Sequence, residues 1–251
     1  IIVSLADCYP PVAAPAKMLQ KQPIPEGTID FTSLVRDYPP EPPEIEFDVK
    51  EDLAHIAYTG GTTGNPKGVM ITHYNAVAMS CQFGYWLQGG DVSYEDGKIG
   101  VKYMEGDSEE NWPMKRGGEV SLIVVPWFHA MGVMGYLNIQ VLGGITMVVF
   151  PRFEPTEYLQ AFSKYRATVF GGAPQLYVPL VEHPDYADTD MSEVKMVVSG
   201  AAPIPQYLLE TMLGKISGVV CEAYGLSECT LGCSINPPSR EGYRLGSVGL
   251  P

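Results

Sequence analysis

The chain has 251 residues with 16 basic and 29 acidic side chains, a formal charge of −13. At this length a compact fold buries roughly 70–75% of the unfolded chain's surface, so no disulfide or metal staple is required. With 45% hydrophobic and 18% charged residues it is not a disordered chain. An acidic balance without a Lys/Arg cluster argues against nucleic acid and anionic membranes as partners.

The chain starts at Ile1 rather than Met, which is expected of a fragment or a processed piece, and residues 1–5 read as the end of a strand. Nine of the 22 prolines fall in the first 43 residues. Proline fixes φ and removes a donor, so residues 1–50 are expected to form an extended lead-in to a core spanning 51–251.

A strand expected at 55–59 runs into Tyr58-Thr59-Gly60-Gly61-Thr62-Thr63-Gly64-Asn65-Pro66-Lys67-Gly68, and a second strand follows at 69–72. Four glycines let the backbone turn its N–H groups inward, three threonines add hydroxyl donors, and Lys67 adds a point charge. That is the chemistry of a phosphate cradle. It is not a Walker A loop, because no Gly-Lys-Ser/Thr follows and Pro66 has no N–H. The plain alternative is a glycine-rich hairpin with a solvent lysine.

Residues 89–119 carry eight acids against four bases and read as a solvated surface insertion without EF-hand spacing. From Val120 to Pro151 there is no Asp, Glu, Lys or Arg. That is longer than the roughly 20 residues a membrane-spanning helix requires. However, Pro126, His129, Asn138 and Gln140 interrupt the stretch, and β-branched runs at 121–125 and 145–150 read as two buried strands around a helix. No transmembrane segment is expected.

Further strands are expected at 167–170, 194–199 and 218–222. Between them lies a helix over 154–165, with Tyr158, Phe162 and Tyr165 on one face, and another from Pro205 to a stop at Gly214. Strands separated by single helices imply an α/β fold with largely parallel sheets flanked by helices, and ligands at the carboxyl ends of the strands. Three segments follow such ends. Pro126-Trp127-Phe128-His129-Ala130-Met131-Gly132 follows the first. Ser199-Gly200-Ala201-Ala202-Pro203 offers small residues that let a flat base approach. Glu222-Ala223-Tyr224-Gly225-Leu226-Ser227-Glu228 offers an aromatic face, a hydroxyl and a carboxylate. Taken singly, Tyr224 reads equally as core, Glu228 as a surface acid and His129 as a satisfied buried histidine. The cysteines (Cys8, Cys81, Cys221, Cys229, Cys233) are odd in number and form no CxxC pair, so reduced thiols in a cytoplasmic protein are expected.

Taken together, these segments resemble the ANL superfamily of adenylate-forming enzymes, which includes acyl-CoA synthetases, firefly luciferases and the adenylation domains of peptide synthetases. Residues 58–68 are similar to the family's phosphate loop, with Gly61 where serine is customary. Tyr224–Glu228 is similar to its Y-G-x-[ST]-E motif, and Gly200–Pro203 to its adenine-side strand end. The resemblance implies that Thr59, Gly60, Gly61, Thr62, Thr63, Gly64 and Lys67 handle the phosphates of ATP. It implies that Tyr224 stacks on adenine beside Gly200, Ala201 and Ala202, with Glu222, Ala223 and Gly225 around the nucleotide. Ser227 would touch the α-phosphate and Glu228 would hold Mg²⁺; Lys67, Glu228 and His129 form the implied catalytic set. A carboxylate attacking the α-phosphate is already ionised, so alignment and charge neutralisation are what the site must supply, not a general base.

In amino-acid-selecting relatives an aspartate is customary in the segment at Phe128-His129. Here the F-H-x-x-G pattern is similar to that of fatty and aryl acyl-CoA synthetases, and the surroundings are apolar and methionine-rich. Trp127, Phe128, His129, Met131 and Gly132 are therefore the expected acid-binding residues, and the substrates are a small-molecule carboxylic acid, ATP and coenzyme A. A medium- or long-chain fatty acid is the first choice. An aryl acid, a carrier-protein acceptor or a non-catalytic nucleotide- or acyl-binding module are the alternatives. The family's ribose-binding aspartate, hinge and small C-terminal domain are not in these residues, so this piece alone is expected to be inactive. Oligomeric state is not legible.

Overall fold

A computed structural model describes residues 23–59, 64–96, 98–103, 112, 114–239, 244 and 246–251. The expectations for residues 1–5, for Cys8 and for Gly60, Gly61, Thr62 and Thr63 lie outside them. The chain divides into two compact units, residues 1–47 and 48–251.

In the first unit the lead-in is not extended throughout. Helix α1 (Phe31–Asp37) is started by Asp30, whose carboxylate accepts from the Ser33 amide at 3.0 Å and the Ser33 hydroxyl at 2.9 Å. The proline spacing leaves residues 26–38 free of proline, and one N-cap suffices to nucleate two turns there.

The second unit opens with an antiparallel hairpin, β1 (Leu53–Thr59) and β2 (Lys67–Thr72), closed by the Thr59–Lys67 pair. Thr72 and Asn75 form a capping box that starts α2 (His73–Gln88). A second antiparallel hairpin follows, β3 (Gly90–Glu95) and β4 (Lys98–Tyr103), within the acidic insertion. Glu119, counted with that solvated insertion, is instead buried. Its Oε1 accepts from Lys195 Nζ at 2.8 Å and from the Lys115 amide at 2.7 Å. A carboxylate at the entry to a central strand is enclosed by the sheet, and burial requires the ion pair.

The principal sheet has six strands in the order β10-β9-β8-β7-β5-β6. These are β5 (Val120–Ile123), β6 (Thr146–Val149), β7 (Val169–Gly172), β8 (Met196–Ser199), β9 (Val219–Tyr224) and β10 (Ser234–Ile235). The first five are parallel and β10 is antiparallel to β9. A π-helix (Met131–Asn138) runs into α3 (Ile139–Leu142) between β5 and β6. Helices α4 (Pro155–Tyr165), α5 (Pro174–Val181) and α6 (Gln206–Leu213) make the later crossovers. The fold is α/β with a largely parallel sheet flanked by helices, as the alternation of apolar runs implies.

The two faces of the sheet differ. On one, Leu122, Phe170, Val197 and Val220 pack against α4, α5 and α6 in a solid aromatic core. Tyr158 donates to the Leu122 carbonyl at 3.1 Å, and Phe162 meets Phe170 edge-on at 5.0 Å. Tyr165, expected on this face, is 40% exposed. Arg166 turns the chain in the left-handed region at φ 53°, and buried Ala167 takes the inward place. On the other face, Val169, Met196, Val219 and Cys221 look toward Leu87 of α2 and Ile139 of α3. The alternation Val169/Phe170, Met196/Val197 and Val219/Val220/Cys221 is the two-residue period of strands buried on both sides. Among the described residues no helix is long and apolar enough to cross a membrane.

Candidate functional site

In the sheet, β5 lies between β6 and β7, so the chain leaves β5 in one direction and the later strands are laid down in the other. Such a reversal opens a crevice at the carboxyl ends of the strands. A cavity of about 400 Å³ begins there and continues inward between the sheet and the layer of α2, the π-helix and α3. Its mouth is made by Thr59 at the end of β1, His129 and Met131 after β5, Gly200 and Ala201 after β8, and Ala223, Tyr224, Gly225, Ser227 and Glu228 around the end of β9. Its body is largely apolar, lined by Phe83 and Leu87 from α2, Ile139 from α3, and Val169, Met196 and Val198 from the sheet, with Gln88, Tyr136 and Gln140 among them.

Local backbone geometry places the mouth residues. Tyr224 ends β9 with half of its surface exposed, beside the small residues Gly200 and Ala201. Gly225 is required by close approach, since a Cβ there would lie 1.9 Å from the Leu231 carbonyl oxygen. Ser227–Cys229 form one 3-10 turn, after which Thr230 takes φ 72°, ψ −46° and the Leu231 amide donates to the Cys229 carbonyl at 2.8 Å. This is a γ-turn with a β-branched residue in the left-handed region, a strained conformation. It reverses the chain so that the Cys233 amide reaches the Tyr224 carbonyl at 2.8 Å. Glu228 is thereby held exposed at the tip, and Leu231 returns to the cavity wall. Cys229 and Cys233 are free thiols on the same loop, and Cys233 is raised above the ordinary thiol range, first by its side-chain hydrogen bond with Cys229.

His129 is exposed rather than buried; its Nδ1 accepts from the Met131 amide at 3.1 Å. Thr59 Oγ1 donates to the Lys67 carbonyl at 3.4 Å, and Lys67 itself is exposed on β2. Lys67, Gly64, Ala202 and the buried Glu222 do not line the cavity. Nor do Trp127, Phe128 and Gly132, all three expected at the acid. The turn closed by the His129 amide on the Pro126 carbonyl, 3.1 Å, projects Phe128 outward to 84% exposure. Gly132 faces that turn instead, where a Cβ would come within 2.0 Å of the Pro126 oxygen. Among the described residues no three His, Cys, Asp or Glu side chains gather as a metal cage.

Residues 7–251 match the family model described as AMP-binding enzyme. The chain belongs to the AMP-binding enzyme family. Relatives in this family include a long-chain-fatty-acid–CoA ligase of Bacillus subtilis (strain 168), 33% identical over 82% of this chain and 32% of its own length. A 4-coumarate–CoA ligase 2 of Oryza sativa subsp. japonica is 30% identical over 81% of this chain and 32% of its own. The chain thus spans about a third of the length of the curated relatives it matches. Among solved structures, the anthranilate CoA ligase AuaEII in complex with anthranoyl-AMP has the same fold, with a TM-score of 0.72 at 21% identity, over 92% of this chain and 40% of that one.

In this member of the AMP-binding enzyme family the strand-end segments were legible as motifs, while the wall contributed by α2 was not. Phe83 and Leu87 are spaced i, i+4 and therefore share a helix face, a signal that was available. What that face meets is not written in the helix.

Proposed function

We propose that the full-length protein is an ATP-dependent ligase that activates a carboxylic acid as its acyl-adenylate and passes the acyl group to the thiol of coenzyme A, with AMP as the leaving group. The observation that carries this reading is one continuous cavity joining a polar mouth at the strand ends to a largely apolar body. In it the acid's carboxylate oxygen attacks the α-phosphorus of ATP, a P–O bond breaks, and pyrophosphate leaves. Tyr224 stacks on the base against Gly200 and Ala201. Thr59, Gly60, Gly61, Thr62, Thr63, Gly64 and Lys67 receive the phosphates, and Ser227 donates to the α-phosphate. Glu228 fits Mg²⁺: one exposed carboxylate, with no further cage among the described residues, suits a cation that keeps most of its waters. When bound, Mg²⁺ neutralises phosphate charge. His129 stands at the carboxylate end of the acid, and residues 51–251 form the nucleotide- and acyl-binding core.

The acid has a largely apolar body. Most of the wall is apolar, and the methionines Met114, Met131 and Met196 supply an adaptable surface. A medium- or long-chain fatty acid is the first candidate and an aryl acid the second. ATP–pyrophosphate exchange by the full-length protein, scanned across fatty, aryl and amino acids, tests this. Exchange with a fatty or aryl acid is the expected result. Exchange with amino acids alone, or with no acid despite ATP binding, overturns it.

A further inference from the structure

The cavity has polar atoms where its walls are otherwise apolar, and they lie away from the mouth. Gln88, Tyr136 and Gln140 all line it, and they are only 3%, 4% and 4% exposed. Gln88 Nε2, the Tyr136 hydroxyl and Gln140 Oε1 are buried without a hydrogen-bond partner among the described residues. Buried polar groups are ordinarily satisfied, and each one left bare is destabilising.

Their placement is defined by what surrounds them. Tyr136 lies over the middle of the sheet, because a Cβ on Gly171 of β7 would fall 2.0 Å from its hydroxyl. Gln140 is four residues on, and its Nε2 donates to Ser121 Oγ at 2.8 Å, near the amino end of β5. Gln88 lies against Gly143, just before β6 begins. The glutamines are therefore at the end of the strands opposite the mouth, Ser121 standing roughly 7 Å before Ile123, the last residue of β5, at about 3.3 Å per residue.

We propose that the acid activated at this site carries a neutral hydroxyl at the end remote from its carboxylate, received by Gln88 and Gln140, with the Tyr136 hydroxyl on the approach to them. The proposal rests on the acid-activating reading above and narrows its substrate. The donor and acceptor inventory selects the group. Gln88 Nε2 offers a donor, Gln140 Oε1 an acceptor, and the Tyr136 hydroxyl serves as either. A hydroxyl satisfies both kinds, a carbonyl leaves the Gln140 acceptor bare, and a methyl satisfies none. Turning the Gln140 amide over exchanges which atom meets Ser121, and a hydroxyl partners either one. Among the described residues the ionisable ones that line the cavity besides Tyr136 are His129, Tyr224 and Glu228, all at the mouth, so a charged tail would meet no partner among them. Burial, with smaller contributions from Tyr177 and Tyr158, holds Tyr136 well above the usual phenol range, so it stays a neutral donor at physiological pH.

Two sources of that chemistry, an ω-hydroxy alkyl acid and a phenolic acid, are separated by matched pairs. Binding to the full-length protein is measured by calorimetry in the presence of ATP for ω-hydroxydecanoic against decanoic acid and para-hydroxycinnamic against cinnamic acid, with exchange rates read in parallel. In at least one pair the hydroxylated acid is expected to bind about tenfold more tightly or better. Gln140→Met and Gln88→Met should each shrink that ratio, and Tyr136→Phe serves if either fails to fold. Equal or weaker binding of the hydroxylated member in both pairs overturns the proposal, as does a preference that survives all three substitutions. Exchange with the parent acids alone would overturn this inference and leave the ligase reading standing. Selective binding without any exchange would do the reverse.

Discussion

Tyr224 is a half-exposed aromatic ring at the end of a parallel strand, a position where burial alone does not account for it. Stacking on a base would account for it, and such stacking contributes about 1–3 kcal/mol by alanine substitution. Tyr224→Ala in the full-length protein should therefore raise the KM for ATP roughly five- to a hundredfold, with a smaller effect on the KM for the acid. An unchanged ATP KM would remove Tyr224 from the nucleotide site. Nearby, the strained Thr230 turn has a mechanical reading: it holds the loop so that Glu228 stays outward while Leu231 turns in. Thr230 itself carried no signal in the sequence, because a β-branched residue is a poor predictor of left-handed backbone.

The elements show where a local rule yields to packing. The charge pattern of residues 89–119 favours solvent, yet Glu119 is enclosed and paired with Lys195, 76 residues away. One of its oxygens, Oε2, is buried without a partner among the described residues, so the pair is held close to its limit. Removing Lys195 leaves the carboxylate uncompensated. Lys195→Met should destabilise the fold by about 3 kcal/mol, the lower end for a buried pair, since the lysine side chain retains 31% exposure. Adding Glu119→Gln should restore most of the loss. Urea unfolding of the wild type, the single variant and the double variant checks this, and a double variant no better than the single would show that the ion pair is not the cause. The π-helix Met131–Asn138 is the other such case: its residues read as ordinary helix, and its wider turn carries Gly135 and Tyr136 to the cavity.

At the scale of the whole molecule, one layer is solid and the other hollow, and both faces of the sheet hold neutral acids deep in the fold. Burial pushes the Cys221 thiol from its ordinary 9.0 up to about 12 and the Tyr186 hydroxyl from 10.0 to about 12, and raises Tyr158 and Tyr177 as well. Below pH 9 these groups are protonated in both the folded and unfolded states, and their stabilising contribution is complete. Above pH 9 the unfolded chain releases its protons first, so stability falls with rising pH, by up to about 1.4 kcal/mol per group per pH unit. The fall continues until the folded groups themselves ionise near pH 12. Denaturant midpoints measured from pH 8 to pH 11 should decline progressively, and Cys221→Ala should flatten the part between 9 and 10. A midpoint independent of pH over this range would contradict the burial of these groups.

The sequence by itself determined the order of strands and helices and the segments that sit at the strand ends. Strands buried on both faces must be continuous apolar runs, helices between them must carry a 3.6-residue stripe, and turns need glycine and proline; each is a local requirement. Hence Gly200 and Ala201, after β8, and Tyr224, Ser227 and Glu228, at and after the end of β9, could be expected at one edge of the sheet in advance. Which side chains share a cavity was decided only by the tertiary structure. Phe128, read as acid-binding from its neighbours in the chain, turns outward, while Phe83 and Gln88 of a helix far from the strand-end motifs turn in. Periodicity states which face of an element is apolar and nothing about what that face meets or how closely. A cavity is the space that remains after two layers have packed, so it belongs to neither layer's sequence.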